Sequence, residues 1–240
     1  MRIALLASLF GLVASTACAG RLVEPSLHVS AADKGGLNVA LTFDACDGTI
    51  DDRILTTLID NRMPATIFVT GKWLRRNPAA IAILKAHPDL FQIEDHGARH
   101  IPAIDTPTRI YGLAAAGSPA AVEREVKGGA DAIVAAGFAK PQWFRGATAK
   151  YTAASMGLIR RDGLKVAGFS VNGDAGAILS ARSARARIGR AKDGDVIIAH
   201  INQPRRPAGA GVVEGLIDLK RRGAHFFRLG DIATTETPAM

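Results

Sequence analysis

The strongest constraint on the fold is a regular alternation of short apolar runs with amphipathic stretches. Between the runs, apolar residues recur at helical spacing, as Ile54, Leu55 and Leu58 do within 51–61. Strands that alternate with helices through short connections favour a single α/β domain with a parallel sheet. Seven apolar runs have the length of buried strands: 37–43, 65–70, 90–95, 141–145, 164–171, 195–200 and 225–229.

The reactive side chains are concentrated at the ends of these runs. They are Asp44, Asp47, His96, His100, Arg145, Asp174 and His200. Polar groups at the carboxyl ends of several parallel strands are typical of barrel active sites, whereas an open doubly wound sheet concentrates them at one switch point. No Gly-x-Gly-x-x-Gly turn follows the first run. We therefore expect an irregular (β/α) barrel with about seven parallel strands, suited to metal-assisted hydrolysis.

The barrel domain is predicted to span residues 37–232. At the start of the chain, an apolar stretch followed by small residues is typical of a secretory signal, so we expect residues 1–19 to be a signal peptide. Lipidation of Cys18 is the alternative processing. Residues 20–36 are expected to be a flexible lead-in and residues 233–240 a tail. The protein is thus predicted to be exported, either periplasmic or secreted or held as a lipoprotein, with no membrane span after the signal.

The charge balance bears on the partner. The formal net charge of +8 suits an acidic or envelope-associated polymer, although arginines on solvated helix faces would give the same total. The densest basic cluster, within 182–192, has helical spacing and no interleaved aromatic residues. Because stacking platforms for bases are missing there, we expect no nucleic-acid partner. The sequence predicts no particular oligomeric state.

The turn after the first run carries two carboxylates and a thiol. Its sequence, Thr-Phe-Asp-Ala-Cys-Asp-Gly at 42–48, separates Asp44 from Asp47 by three positions. One carboxylate could bind a metal while the other accepts a proton from water held there. Helix capping is an alternative role for Asp47. Cys46 is either a further candidate ligand, because thiolates bind zinc well, or a buried unreactive thiol.

Two imidazoles follow the third run. His96 and His100 have the i, i+4 spacing that places side chains on one face of a helical turn. Two neutral histidines and a carboxylate would leave open positions on zinc for water and substrate. The pair is therefore a candidate metal site.

Three further reactive residues follow later runs. Arg145 comes directly after an apolar run, where an unpaired guanidinium is costly, so we expect Asp44 or Asp174 to hold it. Asp174 could alternatively be only a turn residue. His200 ends the run at 195–200 and is a candidate general acid, whose protonated form a nearby carboxylate would stabilise.

Taken in order, these segments resemble the motifs of the polysaccharide deacetylases of the NodB-homology type, carbohydrate esterase family four. The family pattern is Thr-Phe-Asp-Asp-Gly, His-Ser/Thr-x-x-His, an Arg-x-Pro segment, an Asp-containing segment and Leu-x-His. The matching segments of this chain are 42–48, 96–100, 145–147, 172–174 and 198–200. The resemblance covers about 37–230 and implies a deformed (β/α) barrel.

The resemblance also implies catalytic roles. Asp44 matches the base that deprotonates a metal-bound water, and Arg145 matches the residue that positions this base. His200 matches the acid that protonates the departing amine, and Asp174 matches the residue that tunes this acid.

The implied metal ligands are Asp47, His96 and His100, which would hold Zn²⁺ or another divalent transition metal. The two aspartates of the family motif are adjacent, whereas two residues separate them in this chain. Asp44 or Cys46 could therefore take the place of Asp47 in the metal site. Such departures indicate a divergent branch of the family.

The expected activity is metal-dependent removal of acetyl groups from an N-acetylglucosamine-type glycan. Peptidoglycan, poly-N-acetylglucosamine and chitin oligomers are the candidate N-acetylated substrates. One alternative is a non-catalytic carbohydrate-binding protein with a degenerate barrel, which would hold no metal. Another is an amidase acting on small N-acyl substrates, which predicts a closed pocket instead of a groove.

Overall fold

The computed structural model of the protein describes residues 21–30 and 35–237. The expected signal peptide at 1–19, including Cys18, lies outside these residues. Within them, no helix combines the length and the apolar character needed to cross a bilayer.

Ten strands form one sheet, and two more pair only with each other in a small hairpin, β5 with β6. In chain order the strands are β1 (Ser26–Val29), β2 (Leu37–Ala45), β3 (Ala65–Val69), β4 (Phe91–Asp95), β5 (Arg109–Ile110), β6 (Leu113–Ala114), β7 (Trp143–Phe144), β8 (Lys165–Val166), β9 (Val171–Asn172), β10 (Asp195–His200), β11 (Ala224–Phe227) and β12 (Thr234–Thr237).

Helices alternate with the strands, and the amphipathic stretch 51–61 forms α1. In the described part of the chain they are α1 (Asp52–Asp60), α2 (Gly71–Arg76), α3 (Pro78–Ala86), α4 (Pro119–Ala135), α5 (Ala153–Arg161), α6 (Ala181–Ile188) and α7 (Ala208–Arg221), with a 3₁₀ turn at Ala147–Ala149. Most begin at a side-chain cap, for example Thr70 before α2 and Ser118 before α4.

The large sheet is a curled half-barrel, so the predicted irregular (β/α) barrel is confirmed. Its strand order is β12-β1-β10-β2-β3-β4-β7-β8, with β11 beside β2 and β9 beside β10. Within this sheet, β1 pairs in antiparallel fashion with β10 and with β12. The other eight strands, which include β10, pair with one another in parallel.

Eight parallel strands are present instead of about seven because the run 164–171 divides into β8 and β9. The side chain of Arg145 donates hydrogen bonds to the carbonyl oxygens of Ala167 (3.4 Å) and Gly168 (3.0 Å). A Cβ atom on Gly168 would lie 2.2 Å from the carbonyl oxygen of Pro25. These contacts with Arg145 and Pro25 explain why Ala167 and Gly168 do not continue the strand, so β8 and β9 are separate.

The expected lead-in and tail are partly ordered as strands. Residues 20–36 do not form only a flexible lead-in, because Ser26–Val29 form β1. Residues 233–240 are not only a tail, because Thr234–Thr237 form β12. The two strands pair over four residue positions, and Leu27 and Val29 are buried. Mutual pairing at the sheet edge supplies the stabilisation that the local sequence pattern does not reveal.

The two faces of the sheet have different neighbours. Alternate residues of β2, including Leu41 and Phe43, pack against the surrounding helices. The other face, called the inner face below, holds an apolar cluster that includes Ala40, Phe68 and Trp143. Because side chains of a strand alternate between faces, Asp44 shares the inner face with Ala40.

Candidate active site

Four parallel strands of the sheet bring reactive residues to one end of the inner face. Asp44 lies near the end of β2, in register with His200 at the end of β10. His96 directly follows β4, and Arg145 directly follows β7. Because these strands are parallel, their carboxyl ends meet at the same edge of the half-barrel.

Asp44 and Arg145 form a buried ion pair. A guanidinium N–H of Arg145 donates to Oδ1 of Asp44 at 3.0 Å, and the Arg145 side chain is completely buried over the ring of Phe68. Burial alone would raise the pKa of Asp44, but Arg145 and the neighbouring histidines hold it below its ordinary value. Asp44 is therefore an ionised carboxylate suited to accept a proton. Of the two carboxylates expected to hold Arg145, Asp44 and Asp174, it is Asp44 that does so.

Cys46, His96 and His100 form a compact cluster beside this pair. One ligand atom from each residue, the sulfur or a ring nitrogen, lies within 4.8 Å of the other two, and Sγ of Cys46 is 3.5 Å from Nε2 of His96. Burial would raise the pKa of the thiol, but His96, His100 and His200 lower it well below its ordinary value. The site therefore favours a thiolate, the form of cysteine that binds metals.

Asp47, the carboxylate expected among the metal ligands, is not in this cluster. Its side chain is 44% exposed and pairs with Arg76 and, at 3.9 Å, with Lys72. The two-residue period of an extended chain explains the difference. Cys46 lies two positions after Asp44 and follows it to the inner face, whereas Asp47 lies three positions after it and projects away.

The two histidines do not lie on a helical turn. Residues 96–100 form an irregular loop, in which Gly97 and His100 have φ values of +89° and +66°. The loop nevertheless brings the two rings to a centroid distance of 5.0 Å. The Nδ1–H of His96 donates to the carbonyl oxygen of Arg145 at 2.5 Å, which leaves Nε2 available as a ligand atom.

Two buried carboxylates that the sequence analysis did not select hold this loop. Oε1 of Glu125 accepts the backbone N–H groups of Arg99 (2.8 Å) and Ile101 (3.0 Å), on either side of His100. Asp95 accepts the N–H of Gly97 at 2.7 Å. A signal for Glu125 is present in the sequence, because it lies on the buried stripe of α4. A glutamate on such a stripe must have backbone or side-chain partners.

The turn that carries Cys46 is held by Asn202, another residue that the sequence analysis did not select. With the amide oriented to satisfy its neighbours, the oxygen of Asn202 accepts from the N–H groups of Cys46 (3.2 Å), Asp47 (3.2 Å) and Gly48 (3.1 Å). Asn202 is buried and lies two residues after His200. It therefore connects the ends of β2 and β10.

Asp174 and His200 form a second pair, a carboxylate with an imidazole, at the end of the neighbouring strand β10. Nδ1–H of His200 donates to Oδ1 of Asp174 at 2.9 Å, and the backbone N–H of His200 donates to Oδ2 at 2.6 Å. Burial would lower the pKa of His200, but the hydrogen bond to Asp174 raises it well above its ordinary value. This arrangement favours a protonated imidazole that can act as an acid.

The donor set of the cluster fits a divalent transition metal. One thiolate and two imidazoles are ligands that zinc prefers, and three protein ligands leave a coordination position open. Asp44 and Cys46 also raise the pKa of His96 to about 9 against the effect of burial. The same negative surroundings that favour a proton on the imidazole favour a metal cation there.

Comparison with known proteins identifies the family. The family description Polysaccharide deacetylase matches residues 31–167, which is more than half of the chain. The chain belongs to the polysaccharide deacetylase family. A search of curated proteins finds no match.

Solved structures of this family share the fold. A family 4 carbohydrate esterase from Streptomyces lividans, solved with acetate, is 20% identical and has a TM-score of 0.60, with 80% of this chain and 92% of that chain covered. The peptidoglycan deacetylase PdaC from Bacillus subtilis is 20% identical, with a TM-score of 0.67 and coverage of 83% and 91%. A CE4 family pseudoenzyme from Bacillus anthracis is 17% identical, with a TM-score of 0.65 and coverage of 84% and 66%.

This member of the polysaccharide deacetylase family thus has two charged pairs beside a cluster of candidate metal ligands. One pair is Asp44 with Arg145, and the other is Asp174 with His200. Because an ionised carboxylate and a protonated imidazole lie close together, the site can take a proton from one reacting group and give a proton to another.

Proposed function

We propose that this protein is a metal-dependent deacetylase that releases acetate from N-acetylglucosamine units of a glycan. The observation that carries the proposal is the placement of Asp44 and His200 in register on neighbouring strands, each held by its own charged partner. Membership of the polysaccharide deacetylase family supports the reaction class.

In the proposed reaction, Asp44 takes a proton from the water that attacks the acetamide carbonyl carbon. The new carbon–oxygen bond forms first and gives a tetrahedral intermediate, whose carbon–nitrogen bond then breaks as His200 donates its proton to the departing amine and acetate is released. Arg145 keeps Asp44 ionised and oriented, and Asp174 keeps the His200 ring in place and protonated.

The proposed metal ligands are Cys46, His96 and His100, with Asp47 outside the set. Zn²⁺ suits this sulfur and nitrogen donor set best among common divalent ions. When bound, such an ion would supply Lewis-acid polarisation of the acetamide carbonyl.

The intact Asp44–Arg145 and Asp174–His200 pairs support catalysis over a non-catalytic carbohydrate-binding role. The test combines metal content with acetate release from N-acetylglucosamine oligomers, for the wild type, Cys46→Ala and Asp47→Ala. We expect bound zinc and acetate release in the wild type and Asp47→Ala, and loss of both in Cys46→Ala. A wild-type protein that neither retains added zinc nor releases acetate would overturn the proposal.

The site of action is proposed to be outside the cytoplasm. The apolar stretch and small residues within 1–19 support export. Cell fractionation and amino-terminal sequencing of the mature protein test this proposal. A mature chain that begins at Gly20 is expected, a lipid-modified Cys18 would indicate a lipoprotein, and an unprocessed cytoplasmic chain would contradict export.

A further inference from the structure

A cavity lies beside the candidate active site because β2 and β10 are neighbours. Their register pairs Asp44 with His200, so the segments that follow both strands run side by side beyond the same sheet edge. The N–H of Ile201 donates to the carbonyl oxygen of Asp44 at 3.1 Å, and Asn202 holds the turn at Gly48.

The two segments enclose a cavity of about 440 Å³. Its lining contains two arginines and no acidic residue, and is otherwise mostly polar. The lining residues are Gly48, Thr49, Asn202, Gln203, Pro204, Arg205 and Arg206.

Hydrogen bonds from a neighbouring side chain hold the backbone of the segment that carries the two arginines. The side chain of Arg53 donates to the carbonyl oxygens of Pro204 (2.8 Å) and Arg206 (3.1 Å). Asp51 in turn holds this guanidinium through both carboxylate oxygens, at 2.8 and 2.6 Å. The opposite wall is close as well, because a Cβ on Gly48 would lie 2.1 Å from the carbonyl oxygen of Asn202.

The charges of Arg205 and Arg206 are not neutralised by any carboxylate in the described part of the chain. Two other surface arginines do have carboxylate partners, since Arg185 pairs with Asp218 at 2.7 Å and Arg160 pairs with Glu236 at 2.6 Å. Two exposed guanidinium groups beside one cavity attract an anion, and the planar fork of each matches a carboxylate or phosphate group.

We propose that this cavity binds an anionic group, a carboxylate or a phosphate, carried by the glycan beside the reacting unit. The proposal rests on the deacetylase function and narrows its substrate to an acidic glycan. It also gives part of the net charge of +8 a specific role.

The test compares oligomers of equal length that are neutral, carboxylate-bearing or phosphate-bearing. In the double variant Arg205→Gln/Arg206→Gln, KM for the recognised acidic oligomer should rise about tenfold or more, because two charge-assisted hydrogen bonds are lost. The kcat value, and KM for the neutral oligomer, should change by less than about twofold. The acidic oligomer whose KM is lower than that of the neutral oligomer in the wild type, but not in the double variant, identifies the anionic group.

The matched control is Arg182→Gln/Arg190→Gln, which removes the same charge from exposed positions lining a different cavity. Equal losses in both double variants, or no loss of preference in Arg205→Gln/Arg206→Gln, would overturn the proposal. Calorimetric binding of the same oligomers separates this result from a failure of the deacetylase function. Binding that depends on Arg205 and Arg206 in a protein without turnover would retain the anion site and refute the hydrolase.

Discussion

The two carboxylate–histidine pairs of the site differ in what else each carboxylate holds. Oδ2 of Asp44 lies 3.8 Å from Nε2 of His96, while its other oxygen binds the buried Arg145. Asp174 binds His200 through both oxygens, at the ring and at the backbone, and its Oδ1 also accepts the backbone N–H of Gly176 at 3.2 Å. A fixed cation keeps the first carboxylate ionised, whereas the second raises the proton affinity of its imidazole. The site therefore provides both a base and an acid on neighbouring strands.

The largest predicted effect comes from breaking the base side. Asp44→Asn should lower kcat by about 10²–10⁴-fold, because the proton acceptor is lost. It also leaves the charge of Arg145 buried without a counterion, which should lower the free energy of unfolding by roughly 3 kcal/mol. Steady-state kinetics and urea unfolding measure the two effects. Retention of full activity in Asp44→Asn would show that another group is the base.

Breaking the acid side should change the pH dependence. Asp174 raises the pKa of His200. Activity should therefore persist until the pH rises through this raised pKa and His200 loses its proton. Asp174→Asn lowers this pKa and should move the alkaline limb of the kcat profile to lower pH, with about a tenfold loss at alkaline pH. An alkaline limb that does not move would contradict the assignment of His200 as the acid.

Glu125 is a third buried carboxylate near the site and, unlike Asp44 and Asp174, it has no imidazole partner. Glu125 holds the backbone on either side of His100, so Glu125→Ala should weaken metal binding by about tenfold without moving either limb of the pH profile. Competition with a chelator measures the affinity. Glu123→Ala, at an exposed position of α4, is the matched control. Equal affinities in the two variants would argue against this role.

The smallest effect is predicted for the other carboxylate of the first motif. Asp47→Asn removes only a half-exposed ion pair with Arg76 and Lys72, so activity and stability should change little, by less than about threefold in kcat. Activity assays beside Asp44→Asn provide the comparison. A loss in Asp47→Asn comparable to that in Asp44→Asn would place Asp47 in the reaction centre.

Much of the fold was predictable because its parallel strands are buried and apolar. The runs at 37–43 and 195–200 became β2 and β10 with little change in their bounds. Strands β1 and β12 lacked such a signal, since they are short strands at one end of the sheet that pair with each other. The split between β8 and β9 depends on contacts with Arg145, which is distant in sequence.

The site residues were predictable where the strand pattern alone places them. Asp44, the partner of Arg145, was one of the two carboxylates expected there. The two-residue period of an extended chain places Cys46 on the same face as Asp44, as a metal ligand there would require. The helical turn expected at His96 and His100 was wrong, because Glu125 and the positive φ of Gly97 impose another backbone path. Such tertiary contacts have no local sequence pattern.

The central claim is that Cys46 takes the ligand position expected for Asp47. X-ray absorption at the zinc edge of the purified protein tests it directly, because zinc–sulfur and zinc–nitrogen distances differ. The account predicts one sulfur atom at about 2.3 Å with nitrogen or oxygen atoms at about 2.0–2.1 Å. A first shell of nitrogen and oxygen alone would contradict it.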